Sequence, residues 1–453
     1  SFESGLLQIT ATTGTSEKNG YYITSLDNPG EVTEIFPIGI AGLSPDLIVG
    51  RTHYAMTNLD APKWRLVRID QSNPAPDRWH TVIPESDVKL DSVSVFYPCL
   101  VVTHTEHTGA RVSVRDLEGR ILSKVEIEHP ASVGFARPEP GDDHLLMSVE
   151  DYRRPKRIER IDLATGKTTL FRPSAAKHDL ADAVMRQVFV TGGDGAQVPL
   201  VLVHRRDIAF DGNNRTWLYG YGGFGESETP EYGTAAAAWV RMGGIYAVAS
   251  IRGGGEYGQA WHDGGRLANK QNSFDDFTAC AEWLIANNYT RPQRLGISGA
   301  SNGGLLTLAT MLQRPDLFGA VVSRVPVADM LRFHHFTFGS NWIVEYGDPD
   351  QESDFKTLLR YSPLHNVKGG VKYPPLLIVT ADHDDRVAPA HACKFAATMQ
   401  DKAPNGEVYL LVKRSSGHSE HLLSKNLDDS ANTIAFLSDK LGGPFLDLPK
   451  ISV

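Results

Sequence analysis

From Ser1 to about Ser174 apolar and polar positions alternate in short runs broken by turn residues: GLLQITAT, YYITSLD, DLIVGRT, WRLVRID, LVVTHTE, RVSVRDL, HLLMSVE and RIERIDL. Period-two alternation rich in β-branched and aromatic side chains predicts half-buried strands. Four of the runs carry an aspartate at or next to their end, Asp27, Asp70, Asp116 and Asp162, at intervals of 43, 46 and 46 residues. A strand-only repeat of roughly 40–50 residues is the period of a four-stranded propeller blade. An irregular sandwich whose strands merely share an Asp turn would not space them so evenly. The prediction for residues 1–175 is an all-β partial propeller of about four blades.

After Ser174 the period changes. QVFVTGGDGAQVPLVLVH reads as a hairpin turning at Gly192 to Gly195. From there buried strands (WLYGYGG, IYAVASIRGGG, RLGISG, AVVSRVP, PPLLIVTAD, VYLLVK) alternate with helical segments. The helices are SFDDFTACAEWLIANN with Ser273 as its cap, GGLLTLATMLQRP ended by Pro315, and NTIAFLSDKLG with a glycine stop. Alternation of this kind predicts, for residues 176–453, a doubly wound, mostly parallel sheet with helices on both faces.

Composition narrows the function classes. At 453 residues the chain is long for one core, which agrees with two domains. A formal charge of −9 argues against a nucleic-acid partner, since phosphate binding needs a basic surface. The three cysteines, Cys99, Cys280 and Cys393, form neither a disulfide framework nor a CxxC zinc pattern. No apolar run reaches the ~18 residues of a membrane span, and no basic-then-apolar leader is visible. Few cysteines and no visible signal favour the cytoplasm. A chain starting on Ser1 leaves room for an upstream piece, and a signal there would make the protein periplasmic or secreted.

The candidate chemistry sits where RLGISG runs into Gly299-Ala300-Ser301-Asn302-Gly303 and then into a helix. This is the G-x-S-x-G nucleophile elbow in strand–turn–helix context, the arrangement of α/β-hydrolases. The flanking glycines let strand and helix approach, Ser301 stands clear of the sheet, and the Asn302 amide can face a developing oxyanion. The partners expected in chain order, acid then histidine, are present. PPLLIVT leads into Asp382, His383, Asp384 and Asp385, and VYLLVK leads into Ser415-Ser416-Gly417-His418. His418 is the natural base, oriented by a carboxylate of the earlier loop; His383, His334 and His335 are given surface or packing roles. The acidic loop has no second carboxylate cluster to complete a cation site, so no metal is expected. The glycine runs YGYGGFGE and IRGGGEYG lack phosphate-loop spacing and suit backbone passing close to a substrate.

YGYGGF, IRGGGEYG, WHDGG, LANKQNSFDDF, GASNGGLL, DHDDRV and SGH together resemble the prolyl oligopeptidases, through nearly all of the second half. The resemblance implies a serine peptidase without cofactor, an α/β-hydrolase domain capped by a seven-bladed propeller that filters substrates by size, cleaving short peptides after proline. It places the triad on Ser301, Asp384 and His418, and the oxyanion hole on Tyr221 with the Asn302 amide. Arg386 becomes the holder of a substrate carbonyl, and Trp342, Tyr346, Phe224, Val327 and Val387 the proline pocket. Two departures stand out. Ala300 replaces a family glycine, and only about four of seven blades are visible, without the N-terminal segment of the catalytic domain. A fragment, with a missing N-terminal segment supplied elsewhere, is the expectation. The alternatives are a relative of basic or acylaminoacyl specificity, for which Glu345 and Asp348 lie near the pocket, or an inactive fragment acting as a binding module.

Overall fold

The computed structural model describes residues 5–96, 98–128, 130–136, 144–176, 179–419 and 422–443. Four antiparallel sheets follow one another along the first part of the chain. The first holds β1 (Leu6–Ala11), β2 (Gly20–Ser25) and β3 (Val32–Phe36). The second holds β4 (Leu43–Val49), β5 (Thr52–Thr57), β6 (Arg65–Asp70) and β7 (His80–Ile83). The third is β8 (Lys89–Phe96), β9 (Cys99–Glu106), β10 (Gly109–Asp116) and β11 (Ile121–Val125). The fourth is β12 (Ser132–Phe135), β13 (His144–Glu150), β14 (Arg157–Asp162) and β15 (Thr168–Arg172).

The Asp repeat has a structural cause. Asp70, Asp116 and Asp162 each close the third strand of a four-stranded sheet, and each carboxylate accepts backbone amides of the following turn: Ser72 at 2.8 Å, Glu118 at 3.0 Å and Thr165 at 2.8 Å. Asp27 follows β2, so β2 matches the third strand of the others, and among the described residues the first sheet lacks the strand equivalent to β4. Apolar side chains lock neighbouring sheets together: Tyr21, Ile23 and Phe36 pack with Ala55, Val67 and Ile69, and Val112 and Val114 with Leu145 and Met147. Stacking of blade faces is what a propeller needs to bury sheets that are individually too small for a core.

The second part builds one eight-stranded sheet: β16 (Val184–Thr191), β17 (Gln197–His204), β18 (Thr216–Gly220), β19 (Ile245–Ala249), β20 (Leu295–Ala300), β21 (Ala320–Arg324), β22 (Leu376–Ala381) and β23 (Val408–Lys413). Their order is β16-β17-β19-β18-β20-β21-β22-β23. The β16–β17 hairpin and the β17–β19 pair are antiparallel; from β19 onward every pair is parallel. Successive residues of the central strands feed opposite cores. Leu218, Val321, Leu376 and Ile378 face the helices Gln271–Ala286 and Asn302–Gln313, while Trp217, Val322, Leu377 and Val379 face the helices Thr234–Arg241 and Leu423–Lys440. Burial on both sides explains why these strands read as continuous apolar runs.

Two boundaries differ from the sequence reading. Ser273 is not a cap: its helix begins at Gln271, and the buried Ser273 hydroxyl donates to the carbonyls of Arg252 (2.7 Å) and Gly265 (3.1 Å). It ties the IRGGG loop to the helix instead of satisfying a helix end. The last helix starts at Leu423, well before Asn432; its first turns are mostly polar, and their leucines, Leu423 and Leu427, are exposed and do not face the core.

Candidate active site

β20 delivers the chain to Ser301 at φ 59° and ψ −115°, and the helix Asn302–Gln313 begins at the next residue. A non-glycine residue there is strained, and the strain is held by its surroundings. The Ser301 amide donates to the Arg324 carbonyl at 2.9 Å, while the Ser301 carbonyl accepts from Gly304 and Leu305. A methyl placed on Gly299 would overlap the Gly303 carbonyl, and one on Gly303 would press on the Gly220 carbonyl. Both glycines of the motif are thus fixed by backbone contact. Ala300 is half-buried at the strand end and fits.

Parallel pairing of β22 with β23 sets the following two loops side by side, bridged from the His383 amide to the Ser416 carbonyl at 3.0 Å. Of three candidate carboxylates only Asp384 reaches His418. Its Oδ2 accepts from His418 Nδ1 at 2.8 Å, and its Oδ1 accepts the amides of Arg386 (3.0 Å) and Val387 (2.8 Å). Asp382 is occupied with exposed His383 at 2.7 Å, a bond that holds its carboxyl down to about 2. A carboxylate can only accept, so Nδ1 carries the proton and Nε2 of neutral His418 is left as a base. Among the described residues no hydrogen bond joins Ser301 Oγ to His418, so the acid–base half of the relay is closed and the base–nucleophile half is open. Such bonds commonly tighten only with substrate present.

The Asn302 amide, first in its helix, has no backbone acceptor among the described residues and is available to an oxyanion. Its side chain is spent on positioning: Nδ2 donates to the Tyr221 carbonyl at 2.6 Å and Oδ1 accepts from Tyr346 Oη at 3.0 Å. Tyr221 itself is held in its neutral, donating form. Burial, then the charges of Glu226 and Glu345, push its hydroxyl well above the usual phenol range.

Trp342, Val327, Val387 and Tyr346 belong to one buried cluster with Phe224 packed against it. Phe224 meets Tyr346 edge-on at 5.5 Å, and Phe333 lies nearly parallel to Trp342. The predicted pocket side chains are brought together, but closed: Trp342 is only 3% exposed. Arg386 stands apart from them, its guanidinium 5.4 Å from the centre of the Phe338 ring, and with His418, Asp385 and Ser419 lines an open cavity of about 440 Å³.

A charged network beneath the YGGF loop was not assigned in the sequence. Buried Glu345 accepts from the Phe224 amide at 2.9 Å, pairs with His262 Nε2 at 2.8 Å and lies 3.9 Å from Lys270 Nζ. Lys270 in turn donates to the Gly222 carbonyl at 2.7 Å, and His262 Nδ1 lies 3.3 Å from Glu17 of the first sheet's hairpin loop. Both ends of Tyr221–Phe224 are therefore fastened to buried charges. WHDGG and LANK held the signal: a histidine and a lysine in segments otherwise suited to close packing. The same hairpin loop reaches the pocket segment, where the Thr15 amide and hydroxyl both donate to the Asn341 carbonyl at 3.1 Å.

The network predicts a pH effect on stability. Burial works against the His262 imidazolium, but its bonds to Glu17 and Glu345 carry it up to about 9, so its stabilisation is complete below about pH 6.5 and lost as pH rises through about 9. Burial lowers Lys270 to about 8, and its folded value lies below the unfolded one, so it acts oppositely above pH 8. Between pH 6.5 and 8 the native chain should lose a few degrees of melting temperature, and His262→Gln should flatten that slope. Parallel thermal melts in matched buffers check it; equal slopes would remove His262 from the network.

Comparison with known proteins settles the kinship. A family model described as the N-terminal beta-propeller domain of prolyl oligopeptidase matches residues 4–174, and the prolyl oligopeptidase family model matches residues 230–444. The chain belongs to the prolyl oligopeptidase family. It is similar to the prolyl endopeptidase of Elizabethkingia miricola, 36% identical over 423 residues, covering 90% of this chain and 59% of that one. The prolyl endopeptidase of Dictyostelium discoideum is 37% identical over 412 residues, covering 86% and 53%. Among solved prolyl oligopeptidases, the B enzyme of Galerina marginata bound to a 35-residue hydrolysis and macrocyclization substrate superposes with a TM-score of 0.92 at 31% identity, covering 98% of this chain and 65% of that one. The chain spans about three-fifths of the length of the curated prolyl endopeptidases it matches. The family's propeller and α/β-hydrolase parts account for the four small sheets and the eight-stranded sheet. Among the described residues no helix is long and apolar enough to cross a membrane.

Proposed function

We propose that the chain carries the site of a serine peptidase that hydrolyses short peptides on the carboxyl side of proline through an acyl-enzyme. The observation behind this is the Asp384–His418 bond of 2.8 Å, on loops of the same sheet that carries a serine held at φ 59° on a strand–helix elbow. Ser301 Oγ attacks the carbonyl carbon and His418 Nε2 takes its proton. The tetrahedral intermediate collapses, His418 returns the proton to the leaving amine, and water repeats the sequence on the ester. Asp384 fixes the tautomer and stabilises the imidazolium. Tyr221 Oη and the Asn302 amide receive the oxyanion.

Proline specificity is supported by the uncharged cluster of Trp342, Tyr346, Phe224, Val327 and Val387, which suits a flat ring without an N–H. A basic residue in that place would need a free carboxylate, and Glu345 is committed to His262, Lys270 and the Phe224 amide. Arg386, beside His418 in the open cavity, is assigned to a substrate carbonyl upstream of the scissile bond. In this reading residues 1–175 form the filtering cap, 176–453 the hydrolase domain, and the compartment is the cytoplasm.

Hydrolysis of two chromogenic peptides differing only in proline or arginine before the scissile bond tests the reading. Turnover of the proline peptide is expected; preference for arginine would overturn the pocket and spare the triad. Tyr221→Phe is expected to lower kcat by roughly 10²–10³-fold with KM nearly unchanged, because the lost donor serves mainly the charged intermediate. A change confined to KM would place Tyr221 in ground-state binding instead.

A further inference from the structure

The turn Phe333–His335 and the segment after the helix Ile343–Tyr346 converge on three potential ligands, His334, His335 and Asp350. One ligand atom from each lies within 4.8 Å of the other two. His334 is the unusual member. Its side chain is 7% exposed, yet both ring nitrogens are buried without a hydrogen-bond partner, while Nε2 points to Asp350 Oδ1 at 3.5 Å. A buried imidazole with neither nitrogen satisfied is costly, and either a proton with a close acceptor or a metal would relieve it. At 3.5 Å the Asp350 oxygen is too far for a good hydrogen bond. The separation instead matches the edge of roughly 3.3 Å between two ligands of a tetrahedral ion with bonds near 2.0 Å. The rings of His334 and His335 lie 3.8 Å apart between centroids, tilted by 38°, which brings the two imidazoles to one place beside Asp350.

We propose that His334, His335 and Asp350 form a site for a divalent transition cation of the Zn²⁺ class, two imidazoles and one carboxylate with water completing the shell. Imidazole plus carboxylate suits such borderline cations, whereas Ca²⁺ and Mg²⁺ demand mostly oxygen. The site revises the surface and packing roles that the sequence suggested for the two histidines. Its place in the fold gives it a consequence, which rests on the peptidase reading. Phe333, adjacent to His334, lies nearly parallel to Trp342 at 6.4 Å and edge-on to Tyr346 at 5.4 Å. A cation joining residue 334 to residue 350 would clasp the two ends of the segment that carries both pocket aromatics.

The test is Zn²⁺ titration of the full chain in competition with a chromophoric chelator, beside His335→Gln and Asp350→Asn. Both side chains are exposed, so neither change threatens the fold. One equivalent is expected to bind, to weaken at least 10-fold in each variant, and to raise the melting temperature of the parent chain only. Zn²⁺ binding of equal stoichiometry and affinity in all three proteins would place the ion on other histidines and overturn the proposal, as would no binding at all. The readout does not use hydrolysis, so loss of the proline-peptide activity would sink the peptidase reading and leave the metal result standing. Under that reading, Zn²⁺ should also shift KM for the proline peptide in the parent chain and leave it unmoved in Asp350→Asn; an equal shift in both would detach the site from the pocket.

Discussion

Ser301→Ala is expected to lower kcat/KM on a proline peptide by roughly 10⁴–10⁶-fold while the melting temperature stays within a few degrees. The size follows from what is removed: without Oγ no acyl-enzyme forms, and only the oxyanion donors and substrate positioning remain to help water attack. The fold should survive because the elbow is held by backbone groups. The Ser301 amide bonds the Arg324 carbonyl, the Ser301 carbonyl accepts two helix amides, and alanine bears the same strain at φ 59° as serine does. Paired hydrolysis and melting measurements decide it. Retention of more than a hundredth of the activity would mean that another group is the nucleophile.

Asp384→Asn should cost about 10⁴-fold in kcat at neutral pH. Asparagine is nearly isosteric and can still accept the Arg386 and Val387 amides. Its amide nitrogen, however, would face His418 Nδ1 as a donor, forcing that nitrogen to accept and moving the proton to Nε2, where no base remains. The neighbour is the control. Asp385 is exposed and bonds neither His418 nor the loop amides that hold Asp384, so Asp385→Asn should change kcat less than about threefold. Comparable losses in the two variants would show that Asp384 acts through general electrostatics and not through the tautomer.

The parts of the site that the sequence exposed are those carried by a short stretch of chain. The elbow needs small residues at 299 and 303 because backbone meets backbone there, and that constraint is written as a local motif. The blade repeat is legible for a similar reason: Asp70, Asp116 and Asp162 each cap the turn that follows their own strand. The Glu17–His262–Glu345–Lys270 network was harder to read because its members come from three separated stretches, His262 and Lys270 sharing one, and each is, locally, an ordinary polar residue. Ser273 misled for a related reason, since a serine near the first apolar turn looks like a cap until the Arg252 and Gly265 carbonyls come within reach. The closure of Trp342 was also unreadable, because an aromatic list says which rings gather and nothing of the space between them.

The hairpin loop between β1 and β2 makes the wall around Trp342 a mechanical part as well as a binding surface. Thr15 grips the Asn341 carbonyl through two hydrogen bonds, and Glu17 reaches His262, which stands under the YGGF loop through Glu345. Gly14 lies so close to Asn341 that a methyl there would strike its carbonyl. Any displacement of the first sheet from the eight-stranded part must therefore draw this latch from beside the indole and from under the YGGF loop together. The wall beside Trp342 and the loop Tyr221–Phe224 would then lose their shared support together, so neither can shift against the first sheet without the other.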